Sequence, residues 1–217
     1  MELVTEAVDR IEGADIVTAS GERRQADVIL LATGFEAGKM LWPMDIRGRS
    51  GTPLRDVWGV DDPRAHLGLT VPDYPNLFVL TGPNTALAHG GSLIFVSECQ
   101  VRYVTAVLRE MLERGLEAVE VRREVHDEYC ARVDAEHEQL VWTHKGMRNW
   151  YRNPRGRVFS PMPWRLVDYW RMTREPDLSE YRLDGVREGA AARARAARGR
   201  ARRPPRPPRH LRCRSPA

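Results

Sequence analysis

Residues 76–92, NLFVLTGPNTALAHGGS, decide the fold class of this 217-residue chain. Apolar side chains on consecutive positions of 76–81 predict a strand that is buried on both faces, as in a parallel sheet. The glycine-containing loop that follows leads into an amphipathic helix over about 93–112, where apolar residues recur every three or four positions. Ser92 is a suitable N-cap residue, and Gly115 suits the left-handed position after the last turn. A strand, a loop and a helix in this order indicate an α/β protein.

The N-terminal part of the chain has a β pattern. Apolar runs at 3–5 and 16–19 predict short strands, and a Ser-Gly-Glu turn at 20–22 allows the chain to reverse because glycine accepts a positive φ. The run at 27–31, DVILL, is apolar on consecutive positions and predicts a second strand buried on both faces. Small residues at 32–34 would let the backbone approach a neighbouring group closely.

The rest of the chain predicts a strand at 118–121 and a second helix at about 124–142. Aromatic residues concentrate in 142–170, where they are interleaved with Lys and Arg. Such a segment could stack nucleic-acid bases or hold phosphates. More commonly, such aromatic residues pack as a peripheral core and the basic residues surround a cofactor pocket. The sequence by itself does not decide between nucleic-acid binding and this packing.

The net charge of +4 hides an uneven distribution. Residues 185–217 contain eleven Arg and one acid, a net charge of +10, which leaves −6 for residues 1–184. The composition of 185–217, Arg with Ala, Pro and Gly, predicts a disordered tail. Its arginines could bind nucleic acid or another anionic surface without sequence preference. Translation past a frameshift in GC-rich DNA is the interpretation of the tail that we favour.

Cysteine usage and hydropathy favour a soluble, cytoplasmic protein. The three cysteines are too scattered for a disulfide framework or a CxxC metal site. No apolar run approaches the ~20 residues that a membrane helix needs, and the first residues lack the pattern of a signal peptide. We therefore expect a cytoplasmic location and no membrane partner.

The loop before the long helix is the strongest candidate site. Free N–H groups and the positive dipole end of a helix N-terminus favour an anion, a phosphate or the electron-rich edge of a flavin. An ordinary strand–helix connection is the simpler alternative. No two glycines of the chain are two positions apart, so a GxGxxG fingerprint is impossible, and no Lys follows the glycines as in a P-loop. Ser92 lacks the GxSxG context of a hydrolase nucleophile.

His126, Cys130 and Asp134 recur four residues apart and share one face of the second predicted helix. Three such side chains could bind a metal ion, but a structural zinc site needs a fourth ligand. They lie one position away from the apolar stripe that includes Val125 and Tyr129. We therefore interpret them as a solvated shoulder of the helix and assign no metal site.

Several motifs, taken in order, resemble class B flavin-dependent monooxygenases, the family of Baeyer–Villiger and flavin-containing monooxygenases. The motifs are DVILLATGF at 27–35, PNLFVLTGPN at 75–84, SECQ at 97–100, NWY at 149–151 and WRLVDYW at 164–170. The last motif is particularly similar to the aryl-ketone-type Baeyer–Villiger branch. The resemblance covers roughly 27–183, and the Arg-rich tail resembles nothing in the family.

The resemblance implies a partial two-dinucleotide-binding-domain fold for FAD and NADP, of which this chain is the C-terminal part. Residues 1–35 would be the end of the NADP-binding domain and its return strand, and 36–184 the C-terminal part of the FAD-binding domain. Both GxGxxG motifs, the family's long fingerprint and its active-site Arg are missing. We therefore expect a fragment, whether a truncated gene product, a mis-called start or a degraded gene, that is inactive by itself. A non-catalytic interaction module, with apolar faces that a missing domain should cover, is an alternative.

The resemblance also implies a chemistry and a set of site residues. In this family NADPH reduces FAD, and the reduced flavin captures O₂ as a C4a-peroxyflavin, which inserts one oxygen atom into a ketone or onto a soft heteroatom. No residue of this chain is assigned a catalytic role. The cofactor-binding candidates are Ala32, Thr33 and Gly34 near the cofactors, Gly82, Pro83 and Asn84 near the flavin, the backbone N–H groups around Leu93 and Ile94 at its pyrimidine edge, and Trp150 near NADP.

Overall fold

A computed structural model describes residues 2–88, 90–147 and 149–186. The chain divides into an N-terminal unit that ends at Glu36 and a second unit that begins at Ala37. The tail predicted from Gly185 onward is wrong for Gly185 and Val186, which end a paired strand. The rest of it lies outside the described residues, so its disorder and its possible nucleic-acid binding stay predictions. In the described part of the chain, no helix is long and apolar enough to cross a membrane.

The N-terminal unit is a three-stranded antiparallel meander in which each strand pairs with the next along the chain. The strands are β1 Val8–Glu12, β2 Asp15–Thr18 and β3 Arg23–Gln25. The turn predicted at 20–22 joins β2 to β3, and its glycine, Gly21, has a φ of 89°. The strand predicted at 3–5 is wrong, since strand pairing begins only at Val8.

The strand predicted at 27–31 does not form, because this segment is coil. Val28, Leu30 and Leu31 are all exposed over most of their surface. A strand that is apolar on both faces needs a paired neighbour on each side and a covering layer over each face. The described residues supply no such neighbours, so the apolar pattern alone does not produce a strand here.

The second unit combines helices with a small antiparallel sheet. Its described helices are α1 Leu54–Trp58, α2 Leu93–Arg114, α3 Arg123–His137 and α4 Leu166–Met172, with 3-10 turns at Val141–Thr143 and Leu178–Glu180. The sheet pairs β4, Leu116–Val121, with β5, Tyr181–Val186. The strand predicted at 118–121 is thus confirmed within β4. The second predicted helix is confirmed as α3, although it ends at His137 rather than near residue 142.

The long predicted helix is confirmed as α2. Ser92 caps its start, because the Ser92 Oγ accepts a hydrogen bond from the Phe95 N–H at 3.4 Å. Gly115 ends it with a φ of 71°, and the Gly115 N–H donates to the Met111 carbonyl. One face of α2 is buried, and its residues are Val96, Cys99, Gln100, Tyr103 and Val107.

The strand predicted at 76–81 is also wrong. The segment is coil with a turn at each end, where Asn76 and Thr81 have φ values of 60° and 50°. The Val79 N–H donates to Leu69 O at 2.8 Å, but no ladder forms within the described chain. Asn76 instead pairs with β4. Its N–H donates to Val119 O, its Oδ1 accepts from the Val119 N–H, and its Nδ2 donates to Glu117 O, each at 3.0 Å. One asparagine therefore takes the place of a strand at this edge of the sheet.

Three groups of buried side chains make up the core of the second unit. The largest is built from α2, α3 and both strands of the sheet, and includes Tyr103, Tyr129 and Tyr181. The other two contain Trp58 and Tyr169 respectively. The elements around α2 are therefore fixed by apolar packing, which is the main stabilising term in folding. This packing holds the start of α2 in place.

Candidate functional site

The loop between 82 and 92 begins with a close backbone contact. A Cβ on Gly82 would overlap the carbonyl oxygen of Gly68. A Cβ on Gly68, which has a φ of 66°, would overlap the Thr85 side chain. The two glycines therefore let two chain segments meet backbone to backbone. In this structure Gly82 therefore approaches the backbone of Gly68, which is part of the protein itself.

Asn84 turns its side chain into the protein. Its Nδ2 donates to the carbonyls of Val158 and Pro161 at 3.0 and 3.3 Å, and its Oδ1 accepts from Arg157 Nη2 at 3.1 Å. Its N–H donates to Phe159 O at 2.9 Å. With a φ of 55°, Asn84 also occupies the left-handed region, which asparagine tolerates better than most residues. The polar groups of this side chain are therefore used within the fold.

The first turn of α2 lies at the surface of the second unit. Leu93 and Ile94 are 49% and 73% exposed, and the turn contains no acidic side chain. No described residue accepts a hydrogen bond from the N–H of either one. A Cβ on Gly91, which has a φ of 95°, would overlap Leu166, so the approach to the helix is packed against α4. The result is a helix N-terminus with a positive dipole end and two donors that have no acceptor in the part of the chain that the structure describes.

A cavity of about 360 Å³ lies beside the loop that leads into α2. The described residues that line it are Leu87, Ala88, Gly90, Leu140, Val141, Trp142, Met162, Pro163, Trp164, Arg165 and Leu166. Arg165 is the one charged side chain among them, and its guanidinium donates to the Asp168 carboxylate at 2.7 and 3.1 Å. A cavity of this size and lining suits a small apolar ligand.

A row of aromatic rings reaches this cavity from the surface. The centroid of the Trp150 ring lies 4.1 Å from that of Tyr151, which in turn lies 4.9 Å from that of Trp142 in the cavity wall. Trp150 is 61% exposed. Its exposed surface could therefore stack against a planar ligand.

Two curated relatives are monooxygenases. The uncharacterised monooxygenase y4iD of Sinorhizobium fredii is 45% identical over 180 residues, which are 83% of this chain and 27% of the relative. A Baeyer–Villiger monooxygenase of Pseudomonas aeruginosa is 34% identical over 182 residues, 83% of this chain and 34% of the relative. The chain is homologous to about a third of proteins that are named monooxygenase and Baeyer–Villiger monooxygenase. No family model matches it.

Solved structures share the fold. A steroid monooxygenase bound to NADP matches 82% of this chain with a TM-score of 0.65 and 26% identity, over 34% of its own chain. A complex of OTEMO with FAD and NADP matches 82% with a TM-score of 0.69 and 22% identity, over 33% of its own chain. The predicted fold, part of a two-dinucleotide-domain flavoprotein, is confirmed. This monooxygenase homologue spans about a third of the length of the solved chains that it matches.

The predicted cofactor residues of the monooxygenase homologue fall in three places. Ala32, Thr33 and Gly34 lie in exposed coil of the N-terminal unit. In the second unit, Gly82, Pro83 and Asn84 are buried, whereas Leu93, Ile94 and Trp150 are exposed. Loop 82–92 therefore joins the buried residues 82–84 to the exposed donors at the start of α2.

The interpretation of His126, Cys130 and Asp134 as a solvated shoulder is wrong for the first two, which are buried. Cys130 Sγ lies 3.6 Å from His126 Nε2, and His126 Nδ1 lies 2.8 Å from Asp127 Oδ1. Burial raises the pKa of the Cys130 thiol to about 12 and lowers the pKa of His126. The thiol is therefore neutral and is not a nucleophile near pH 7. No group of three or more metal-ligating side chains occurs among the described residues.

His137 is a buried residue of the same helix that the sequence analysis missed. Its Nε2 lies 3.1 Å from Pro161 O and 3.3 Å from Asn84 Nδ2. Because the amide nitrogen is already a donor, the His137 Nε2–H donates to the carbonyl, and burial lowers the pKa of this imidazole to about 4. A signal was present, since His126, Cys130 and His137 repeat at helical spacing on the buried face of α3.

Proposed function

We propose that this chain is part of an FAD- and NADPH-dependent monooxygenase and lies at the pyrimidine edge of the flavin. When bound, FAD that is reduced by NADPH activates O₂, one atom of which goes into a ketone (Baeyer–Villiger) or onto a soft heteroatom. The names of the relatives and the FAD and NADP in a neighbouring structure support this assignment. In this arrangement residues 1–35 end the NADP-binding domain, and 36–184 complete the FAD-binding domain.

One observation carries the proposal: the start of α2 has two donors left over. The Ser92 side chain takes the Phe95 N–H, which leaves the N–H groups of Leu93 and Ile94 without a described acceptor. Reduction places negative charge on the pyrimidine part of a flavin, and free donors at a positive helix end stabilise such charge. The lack of an acidic side chain in this turn fits the same role, since a carboxylate there would oppose it.

The cavity beside the loop is our candidate for the substrate side of the site. Its lining of Trp142, Met162, Trp164 and Leu166 would hold the apolar part of a ketone or thioether and exclude water from it. Because Arg165 is bound to Asp168, it does not present a free charge to that ligand. Trp150, at the outer end of the aromatic row, is our candidate for stacking on NADP.

The experiment replaces the matching segment of y4iD with this chain and tests the substitution Leu93→Pro. Proline is tolerated at the first helical position, and the extended Ser92, with φ −124° and ψ 124°, suits the residue before a proline. The variant therefore removes one N–H and keeps the helix. We expect FAD to bind about tenfold more weakly. This corresponds to about 1.4 kcal/mol, the contribution of one hydrogen bond to a charged group.

Leu93→Ala is the matched control, because it removes the side chain and keeps the N–H. Its FAD affinity should stay within about twofold of the parent chimera. Equal affinities of the Pro and Ala variants, measured by fluorescence titration of the flavin, would contradict contact between this N–H and the cofactor. The parent chimera carries this chain without substitutions. If it binds flavin but does not oxidise NADPH, that result would count against the monooxygenase assignment.

A further inference from the structure

Four charged side chains of the second unit form a closed ring. Arg64 contacts Asp62 at 3.3 Å and Asp134 at 2.9 Å, and Arg157 contacts the same two carboxylates at 3.1 and 2.8 Å. The Arg157 side chain is only 10% exposed, against 34% for Arg64. Because Arg157 is almost completely removed from water, its donors depend on partners within the protein.

Arg157 differs from Arg64 in the hydrogen bonds that it makes outside the ring. Its Nη2 donates to Asn84 Oδ1 at 3.1 Å, and its Nη1 donates to Pro63 O at 3.1 Å as well as to the Asp62 carboxylate. The three nitrogens of one guanidinium therefore bind three separate parts of the chain. Among the described residues, the hydrogen bonds of the Arg64 side chain go only to the carboxylates of the ring.

The contact with Arg157 decides which way the Asn84 amide points. With Oδ1 on the guanidinium, Nδ2 faces the carbonyls of Val158 and Pro161. If the amide were reversed, its NH₂ would face a cation and its oxygen would face two carbonyls, which leaves all of these groups without good partners. A buried residue with a positive φ is thus held in one orientation by the Arg157 side chain together with two carbonyls of the same distant segment.

We propose that Arg157 is a positioning residue, which fixes Asn84 and, with it, the point at which the chain enters the loop before α2. Residues 85–91 join Asn84 to the Ser92 cap, so the orientation of Asn84 sets the direction in which the chain leaves it toward the Leu93 and Ile94 donors. The consequence for a flavin rests on the proposed function. The mechanical link between Arg157 and the loop does not, and it is testable without any cofactor.

A lysine would not replace Arg157 in this role. The guanidinium is planar and presents its donors in a fixed fork, so it binds Asp134, Asp62 and Asn84 in one geometry. An ammonium group keeps the charge but binds as a point on a flexible stem. Lysine at position 157 would retain an ion pair and lose the contact that orients the amide.

The test compares Arg157→Lys with Arg64→Lys in the full 217-residue chain by amide hydrogen exchange. Both variants keep the charge and disturb the same ring, so a purely structural role predicts the same pattern of lost protection. We expect R157K to speed exchange of the Asn84 and Ala86 amides by about tenfold relative to the Val107 amide in α2. R64K should leave that ratio within about twofold of the wild type. Equal ratios in the two variants would overturn the proposal.

A second background removes the residue through which Arg157 acts. Asn84→Gly keeps access to the left-handed backbone without the amide. In this background, R157K should change exchange at Ala86 by less than about twofold, because coupled residues are not additive. A full tenfold effect there would show that Arg157 acts by another route and would overturn the proposal. If N84G does not fold, the comparison of R157K with R64K decides alone.

The flavin-containing chimera separates this inference from the proposed function. R157K should weaken FAD binding there by about tenfold, and R64K by less than about twofold. If the exchange contrast is found and the chimera does not retain FAD, Arg157 positions the loop and the proposed function is wrong. If FAD is retained and the exchange contrast is missing, the positioning role is wrong and the proposed function stands.

Discussion

At the scale of single residues, His137 shows how a buried site controls protonation. Its Nε2 and the Asn84 amide nitrogen both face Pro161 O, and its Nδ1 has no partner among the described residues. A protonated imidazole would carry a second N–H into this unpartnered position. Burial therefore lowers the pKa of His137 to about 4, from 6.5 for an ordinary histidine.

This lowered pKa makes stability depend on pH. Between pH 6.5 and 4 the unfolded chain takes up a proton at residue 137 that the folded chain does not, so folding weakens as pH falls through this window. The contribution is complete above pH 6.5 and amounts to on the order of 3 kcal/mol across the window. We expect His137→Gln to reduce the dependence of the free energy of unfolding on pH between 6.5 and 4, while His126, whose pKa burial also lowers, keeps part of it.

Urea unfolding at several pH values measures the slope. His144→Gln is the matched control, because His144 is exposed. The control should reproduce the slope of the wild type. A His137→Gln variant that also keeps this slope would show that the imidazole is not held neutral in the fold.

At the scale of elements, α2 is apolar on two faces, one of which is exposed. Ile94, Val101, Leu108 and Leu112 lie on the exposed face, at spacings of seven and four residues. Between them, the Thr105 hydroxyl donates to the backbone of α2 itself, at 2.7 Å to the carbonyl of Val101. A contiguous exposed apolar face on a helix normally contacts a partner.

The exposed face predicts self-association of the isolated chain. Replacing Leu108 with Gln and Leu112 with Lys should reduce association and change the free energy of unfolding by less than about 1 kcal/mol, because Leu108 is 43% and Leu112 73% exposed. Val107→Gln, on the buried face, should cost more than about 2 kcal/mol. Sedimentation velocity and chemical unfolding make the comparison. A large loss of stability in the double variant would mean that the face is covered within the chain.

The elements that could be predicted are those whose signals are local. α2 carries a cap at Ser92, a left-handed glycine after its last turn and a helical period, all within one segment. The strands predicted at 27–31 and 76–81 failed because a strand needs partners from elsewhere, which an apolar run does not supply. The exposed donors of α2 could be predicted because they depend on the helix start alone. The inward orientation of the Asn84 side chain could not be predicted, because it depends on Arg157, which is distant in sequence.

At the scale of the whole molecule, the chain supplies one side of the proposed site. It spans 27% and 34% of the two monooxygenase relatives described above. The donors of α2 and the Trp150 ring are exposed, so each contacts a ligand from one side only. We infer that the other contacts to FAD and NADP come from protein that is not among these 217 residues.

The isolated chain should therefore bind FAD weakly or not at all and should not oxidise NADPH. The physical reason is that a few hydrogen bonds and one apolar wall do not offset the free energy lost on immobilising a large cofactor. Gel filtration after incubation with FAD, followed by an absorbance spectrum, measures retention. A yellow protein with one flavin per chain would contradict this prediction. The chimera with y4iD serves as the positive control.

Asn76 makes the two edges of the small sheet different, because it is hydrogen-bonded to the β4 edge. By filling the hydrogen-bonding positions of Glu117 and Val119, it closes the β4 side to any added strand. Unpaired strand edges are where sheets from different molecules join during aggregation. We therefore expect a strand from another molecule to add to this sheet at β5, because Asn76 already occupies hydrogen-bonding groups at the β4 edge.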